Sequence, residues 1–449
     1  MQNKFNRITW AVAIAAAAFA SQANAGGYQI NEQSVSGQGY GHAGRSSNVN
    51  DATIVFGNPA GMSFLDRAQL TAGGTYLNVN SRIRNAEATR SNAVTNMMTP
   101  GVPQQVAGSS DGDMVPGTLI PFAFYAHPVN EQLAFGFGVY APFGSKTDYE
   151  DNFVGRNLGN YTELRVISAQ PTVSYRFNDQ WSVGAGITYN RVDGELRRQV
   201  PQPGPGMADP DQDLDSRVEG DDDGWGYNLG VIFQPVPETT FGLTYRSKVD
   251  YTLTGNYRAT NPDGSIAVNP LTGAALEDNA RLNLVTPETI NFSVTQQMSD
   301  RLKLMAGASW VRWSRFDEIH VTNDAGDTIT RENQDYSNAW AYAVGGEYQL
   351  NPQLALRAGV TLDFTPTSDQ YRSARIPSDD RRIFSIGAGW TPMDNLTLDV
   401  AYSYLTERST HVDQTRTDHA GTAAETQLNY TADYKNEAHG FGAQLTYRF

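Results

Sequence analysis

The chain has 449 residues, with 33 Lys and Arg against 48 Asp and Glu, a formal net charge of −15 and no cysteine. Such an acidic chain lacks the cations that neutralise phosphates, which argues against nucleic acid as a partner, and the missing thiols exclude a disulfide framework, thiolate catalysis and thiolate metal ligation. The 42 Gly and 21 Pro are scattered rather than periodic, which points to many turns and away from a fibrous or low-complexity protein.

At the N-terminus, Lys4 and Arg7 precede an apolar run from Ile8 to Ala20, followed by Ala23-Asn24-Ala25. A charged start, a short apolar core and a small-x-small cleavage signal make residues 1–25 a secretory signal peptide, too short to span a bilayer. The mature chain is expected to begin at Gly26, its charge moving from −15 to −17 because two cations leave. Beyond that point no stretch reaches the ~20 apolar residues of a spanning helix. A membrane crossing then requires a closed barrel, because only helices and edgeless sheets pair every backbone group in hydrocarbon. The 22 Tyr and 19 Phe fit such a barrel and equally a secreted β-protein, so the repeat pattern decides.

Residues 26–66 are rich in Gly, Ser and Asn and show no sustained alternation. They read as an internal plug or as a flexible periplasmic tail. From residue 67 on, short turns fall at His127-Pro-Val-Asn130, Asn178-Asp-Gln180, Gln234-Pro-Val-Pro-Glu238, Ser299-Asp300, Asn351-Pro-Gln353 and Pro392-Met-Asp-Asn395. Longer polar connections lie near 81–114, 144–162, 199–224, 258–282, 322–330, 372–382 and 405–424. Six turns and seven loops join fourteen strands with both chain ends on the short-turn side, the layout of a bacterial outer-membrane barrel over residues 67–449. Its strands show a period of two. Trp181, Val183, Ala185, Ile187 and Tyr189 oppose Ser182, Gly184, Gly186, Thr188 and Asn190, and Leu354, Leu356, Ala358, Val360 and Leu362 oppose a set containing Arg357 and Asp363. Those two charges belong to the lumen, since Arg or Lys at the lipid midplane costs about 2–4 kcal/mol. Trp181, Tyr348, Trp390 and Tyr447 sit where interfacial girdles place aromatics. The closing strand carries Phe441, Ala443, Leu445, Tyr447 and Phe449 on one face, and the terminal aromatic Phe449 reads as a signal for the barrel-assembly machinery. A fourteen-strand barrel is too wide for its own side chains to fill, so it conducts or is plugged; the plug reading of residues 26–66 makes an open general porin the lesser alternative.

The acidic stretch Asp209, Asp211, Asp213, Asp215 and Asp221-Asp222-Asp223 has Ser216 where a calcium loop starting at Asp211 needs Gly, so it reads as a solvated loop, with no metal site and no cofactor expected. The six histidines form no constellation with a Ser, Asp or Glu, and no Gly-x-Ser-x-Gly elbow occurs, so an enzyme is not expected.

Taken in order, Gly26-Gly-Tyr-Gln-Ile-Asn-Glu32, Gly57-Asn58-Pro59-Ala60-Gly61, Leu243-Thr-Tyr-Arg-Ser247, Trp313-Ser-Arg-Phe316, Ile376-Pro-Ser-Asp-Asp-Arg381 and Tyr447-Arg-Phe449 resemble the FadL-type outer-membrane transporters of long-chain fatty acids and other hydrophobic compounds. The resemblance implies a monomeric barrel in the lipid and lipopolysaccharide of the outer membrane, with an N-terminal hatch, passive transport, and lateral exit where the third strand kinks. Long-chain fatty acids are the expected ligand and neutral or aromatic hydrocarbons the alternative. The hatch residues Gly26 and Tyr28 would be displaced by ligand, opening a path past Asn58, Pro59 and Ala60. The kink is expected in Tyr140-Ala-Pro-Phe-Gly144, where Pro142 cannot donate to a ladder; Pro142 ending the strand is the other reading, and the family pattern favours Gly144 as the kink. Arg198 aligns with a carboxylate-binding cation, beside the reading as an ordinary loop arginine. His320 stands at the family's second basic ligand contact, a lysine there, a departure that removes a permanent cation and implies either a less acidic substrate or a pH-dependent carboxylate grip shared by Arg198 and His320. Trp313 and Phe316 complete the implied pocket, and Phe153, Val154 and Leu158 the groove between extracellular loops where ligand is first caught.

Overall fold

The computed structural model describes residues 27–110, 112–201, 212–269, 272–422 and 425–449. The expected signal peptide, Gly26, Asp209 and Asp211 lie outside the described residues. The remainder forms fourteen antiparallel staves: β1 (Gln69–Asn92), β2 (Thr118–Pro128), β3 (Leu133–Asp148), β4 (Tyr161–Arg176), β5 (Trp181–Val200), β6 (Leu214–Val236), β7 (Thr239–Arg246 and Val249–Thr260), β8 (Glu277–Thr286 and Thr289–Ser299), β9 (Leu302–Val311 and Glu318–Thr322), β10 (Thr328–Asn333 and Ala339–Asn351), β11 (Leu354–Asp363), β12 (Arg381–Met393), β13 (Leu396–Glu407 and Thr410–Asp418) and β14 (Thr426–Arg448). β14 pairs with β1 from Gln69 opposite Arg448 to Asn92 opposite Thr426, closing the barrel.

The period of two sorts the side chains as lipid demands. Leu356, Val360 and Leu362 are exposed on the outer wall while Arg357 and Asp363 are buried inside. Arg357 is bound there by Glu347 and Asp399. A lower aromatic belt includes Tyr125, Tyr175, Trp181, Trp390 and Tyr447, and an upper one Tyr189, Trp225, Tyr227 and Trp340, all exposed.

Above the upper belt the structure departs from the sequence expectation. β1 runs on to Asn92, β5 to Val200, β6 starts at Leu214 and β13 reaches Asp418, so segments expected as long loops are wall. There both faces of a stave meet polar surroundings, and the hydrophobic alternation that betrays a strand disappears. Asp215 and Asp221-Asp222-Asp223 are therefore strand residues of β6. Four neighbouring staves, β7 to β10, are interrupted at one level, around Ser247-Lys248, Pro287-Glu288, 312–317 and 334–338. In β9 the interruption turns Trp313 inward, where it is fully buried.

Residues 27–65 pack against the inward face of this wall. They carry two short helices, α1 (Val35–Gly39) and α2 (Ile54–Gly57), and a 3-10 turn at Pro59–Phe64. Ser34 caps α1 by accepting the N–H of Gly37, and Asn58 caps the 3-10 turn by accepting that of Ala60, with Pro59 at the position where a missing N–H is harmless. Polar anchors tie the segment to many staves. The Val35 N–H donates to Gln444, Gln38 bonds Thr75 and Ser403, Ser47 bonds Thr295, Ser63 bonds Ser182, and Thr361 donates to the Gly41 carbonyl. A Cβ on Gly345 or Gly359 would lie 2.2 Å from the Tyr40 backbone, so glycine at these wall positions is what permits the close approach.

Candidate transport site

Among the described residues the ladder between β2 and β3 is incomplete. β3 pairs with β2 only from Ala134 opposite Pro128 to Val139 opposite Ala123. Above Val139, the Thr118–Phe122 backbone of β2 ladders with β1, and among the described residues its ladder with β3 does not continue, leaving a gap between β2 and β3. The register of β3 with β4 slips between Tyr140 and Phe143, so Ala141 and Pro142 form a bulge, and Pro142 has no N–H to offer a neighbour. The free edge is met from inside. Ile30 N–H donates to Pro142 O and Gly144 N–H to Tyr28 O, both at 2.9 Å, and Gln33 Nε2 donates to Ala141 O. Ile30, Ile120 and Ala141 pack together in the gap, and Phe122, Phe124, Tyr140, Val55 and Phe56 form an apolar lining below it.

Tyr28 is held from the other side by rings. Its centroid lies 4.6 Å from Trp313, 5.3 Å from Phe316 and 5.9 Å from Phe143, all edge-to-face, a geometry worth about 0.5–1.5 kcal/mol per pair beyond the area buried. Gly27 has φ +68°, and a Cβ there would sit 2.3 Å from the Trp313 ring. Tyr28 and Phe316 also bound a partly open apolar cavity of about 80 Å³ lined by Leu164, Leu196, Val218, Leu253, Leu282, Leu284, Ile319, Val321 and Ile376. The one side chain thus borders the cavity and belongs to the segment bonded to the gap.

On the extracellular side of this cavity lies a layer of buried ion pairs. Arg198 grips Asp418 with two bonds, 2.7 and 3.1 Å; Arg416 contacts Asp418 at 2.8 Å and Glu332 at 3.2 Å; and Arg375 contacts Glu332 at 3.1 Å. Three guanidiniums face two carboxylates, leaving one positive charge in excess. Burial alone would raise the Asp418 carboxyl, but Arg198 and then Arg416 outweigh it and hold the group at about 2. Arg375 also donates to Tyr161 O and to Thr162 Oγ1, and Thr162 and Ile376 line the apolar cavity. On its other side, Arg198, Arg416, Glu332 and Asp418 line a polar vestibule.

A family model described as outer membrane protein transport protein (OMPP1/FadL/TodX) matches residues 16–449. The chain belongs to this family. "Outer membrane protein P1" of Haemophilus influenzae is 30% identical over 99% of this chain and 100% of its own. The "Long-chain fatty acid transport protein" of Escherichia coli strain K12 is 26% identical over 90% of this chain and 93% of its own. Among solved structures, a Pseudomonas aeruginosa FadL homologue superimposes with a TM-score of 0.83 at 26% identity, covering 94% of this chain and 99% of that one. The Ralstonia pickettii toluene transporter TbuX, at 16% identity and a TM-score of 0.62 over 92% of this chain and 99% of that one, shares the fold. As a member of the OMPP1/FadL/TodX family the chain is an outer-membrane transport barrel and not an enzyme.

Within this FadL-type barrel the sequence-picked residues separate. Tyr28, Trp313 and Phe316 come together. Arg198 lies in the ion-pair layer rather than in the apolar cavity, and His320 is with neither. Strand alternation sends Ile319 and Val321 inward and His320 to the opposite face, where it bonds Thr328 Oγ1; a carboxylate grip shared by Arg198 and His320 is corrected accordingly. The bulge falls at Ala141 and Pro142, and Gly144 pairs regularly with Arg165, its missing Cβ leaving room for Ile30 instead. Asn58, Pro59 and Ala60 do not border the gap. Asn58 Nδ2 donates to Val231 O, and Pro59 and Ala60 abut Gly184 and Gly230 on β5 and β6. Phe153, Val154 and Leu158 form no open groove. They are buried against Tyr149 and Tyr430 on the inner side of β14, and Ser109 of the preceding loop bridges Phe153, its N–H donating to Asn152 O and its carbonyl accepting from Val154 N–H. Phe449 is exposed, and its N–H donates to Ala68 O.

Four residues of these sites escaped the sequence reading. Arg375, Arg416 and Asp418 lie in stretches taken for loops. Arg246 sits in a quoted motif without a role, although its alternation with outward Leu243 marks it as a lumen charge.

Proposed function

We propose that this protein carries long-chain fatty acids across the outer membrane by passive diffusion gated by residues 27–66, releasing them sideways into the bilayer between β2 and β3. The observation that carries this reading is the double position of Tyr28, which bounds the apolar cavity and whose carbonyl is bonded to the kinked stave. A tail entering the cavity competes with the Tyr28 ring for Phe316, and retreat of Tyr28 frees the edge of β3. Lateral release spares the tail a watery lumen, where its apolar surface costs roughly 25 cal/mol per Å². The excess positive charge above the cavity favours an anionic head in the vestibule. The packed lumen argues against a general porin. The wall closes on itself, which supports a monomer surrounded by lipid and lipopolysaccharide, delivered by the barrel-assembly machinery through its Phe449 end.

A second reading, neutral or aromatic hydrocarbons, is favoured by one observation. The charged residues at the cavity edge, Glu163, Glu195, Glu219 and Arg281, already have partners in Lys146, Arg197, Arg217 and Asp324. Equilibrium binding of a long-chain fatty acid and of an alkane to the purified barrel, for the native chain and for Arg198→Ala, separates the two. Acid binding that weakens in the variant supports the first; tight alkane binding with no acid binding supports the second.

A further inference from the structure

Arg246 ends the lower segment of β7 and faces the lumen. Its guanidinium donates to Tyr140 Oη at 2.5 Å, Phe56 O at 3.1 Å and Gln170 Oε1 at 3.4 Å. It lies 4.4 Å from the Phe56 ring centroid and 5.4 Å from that of Tyr140. Among the described residues no carboxylate lies within 4 Å of it, whereas the inward arginines Arg357, Arg375, Arg381 and Arg416 each contact one. Aromatic faces and neutral oxygens hold a cation in place without cancelling its charge. A second cation, Arg45, shares the region: burial lowers its guanidinium to about 10, Glu32 opposes that, and the charge of Arg246 adds to it.

The location gives this unmatched charge its meaning. Tyr140 is the last residue before the bulge, and Phe56 belongs to the segment packed inside the barrel. Phe56, Phe122, Phe124 and Tyr140 form a buried apolar cluster beside the bulge, with the Arg246 guanidinium over the Phe56 and Tyr140 rings. Apolar side chains beside an uncancelled guanidinium are the complement of a long-chain carboxylate, and a guanidinium can take both carboxylate oxygens at once.

We propose that Arg246 is the cation that receives the carboxylate of an acidic ligand at the inner mouth of the lateral gap, after the ligand leaves the apolar cavity. The carboxylate replaces the Phe56 carbonyl and the Tyr140 hydroxyl as acceptors, which also unclasps the inner segment from the kinked stave. The inference rests on the fatty-acid reading above.

The test compares uptake of a long-chain fatty acid and of the straight-chain alcohol of equal length by cells carrying the native chain, Arg246→Gln or Arg246→Lys. The expected result is acid uptake slowed about tenfold or more in Arg246→Gln, alcohol uptake unchanged, and most acid uptake kept in Arg246→Lys. Equal slowing of acid and alcohol would reduce Arg246 to a clasp and overturn the inference, as would native acid uptake in Arg246→Gln. A native chain that takes up the alcohol but not the acid would refute the fatty-acid reading itself, and this inference with it.

Discussion

The N–H of Gly144 donates to the carbonyl of Tyr28 at 2.9 Å, so the first residues of the inner segment take the ladder position that β2 leaves empty beside β3. An unpaired stave edge at membrane depth would leave backbone groups unsatisfied, each costing several kcal/mol. The same contact that satisfies them also obstructs the opening.

Truncating Tyr28 to Ala removes three edge-to-face partners and a fully buried ring. The expected loss is roughly 3 kcal/mol of local stability, read as faster hydrogen exchange at the Ile30 and Gly144 amides, with exchange in β12 and β14 unchanged. Unchanged protection at Gly144 would mean the Tyr28 ring does not hold the segment on β3.

Deleting Pro142 alone removes the one extra residue of the bulge, places Ala141 opposite Ile167 and lets Tyr140 and Phe143 continue one register with β4. The barrel should still fold, and uptake of hydrophobic ligand should drop sharply. Full uptake by the folded deletion variant would show that ligand leaves elsewhere.

Valine at Gly359 places a Cβ against the Tyr40 backbone, where 2.2 Å is available. The turn at Tyr40 has to shift, and the purified protein should show higher ion conductance and faster tryptic cleavage after Arg45. Native behaviour on both counts would mean the wall yields instead.

The Arg198–Asp418 pair gives a pH signature. The Asp418 carboxyl sits at about 2 in the folded chain, below its ordinary value of about 3.9. The pair's contribution, on the order of 2 kcal/mol, is therefore present above about pH 4 and is lost as pH falls through 2. Thermal unfolding of the native chain and of Asp418→Asn should differ most near neutrality and converge towards pH 2. A difference that grows on acidification would contradict the assignment.

The barrel was legible because lipid on one side and a polar lumen on the other write a period of two into each stave, as Leu354 to Asp363 displays. The pattern fades where water reaches both faces, so Asp221-Asp222-Asp223 read as loop and lie in β6. Tyr28, Trp313 and Phe316 were found through a family resemblance, and their convergence depends on interruptions in four adjacent staves that no local spacing announces. The partner of Arg198 is 220 residues away at Asp418, and the direction of His320 follows from where β9 resumes after its break.

Gating at the gap has a direct test, made clean by the absence of native cysteine. Gln29 and Phe143 form an antiparallel bridge, a pair of positions whose Cα atoms lie about 4.5–5.5 Å apart, within disulfide reach. In Gln29→Cys/Phe143→Cys, oxidation should stop uptake of hydrophobic ligand and reduction should restore it, with each single variant indifferent to oxidant. Undiminished uptake by the quantitatively crosslinked protein would contradict passage through the opening between β2 and β3.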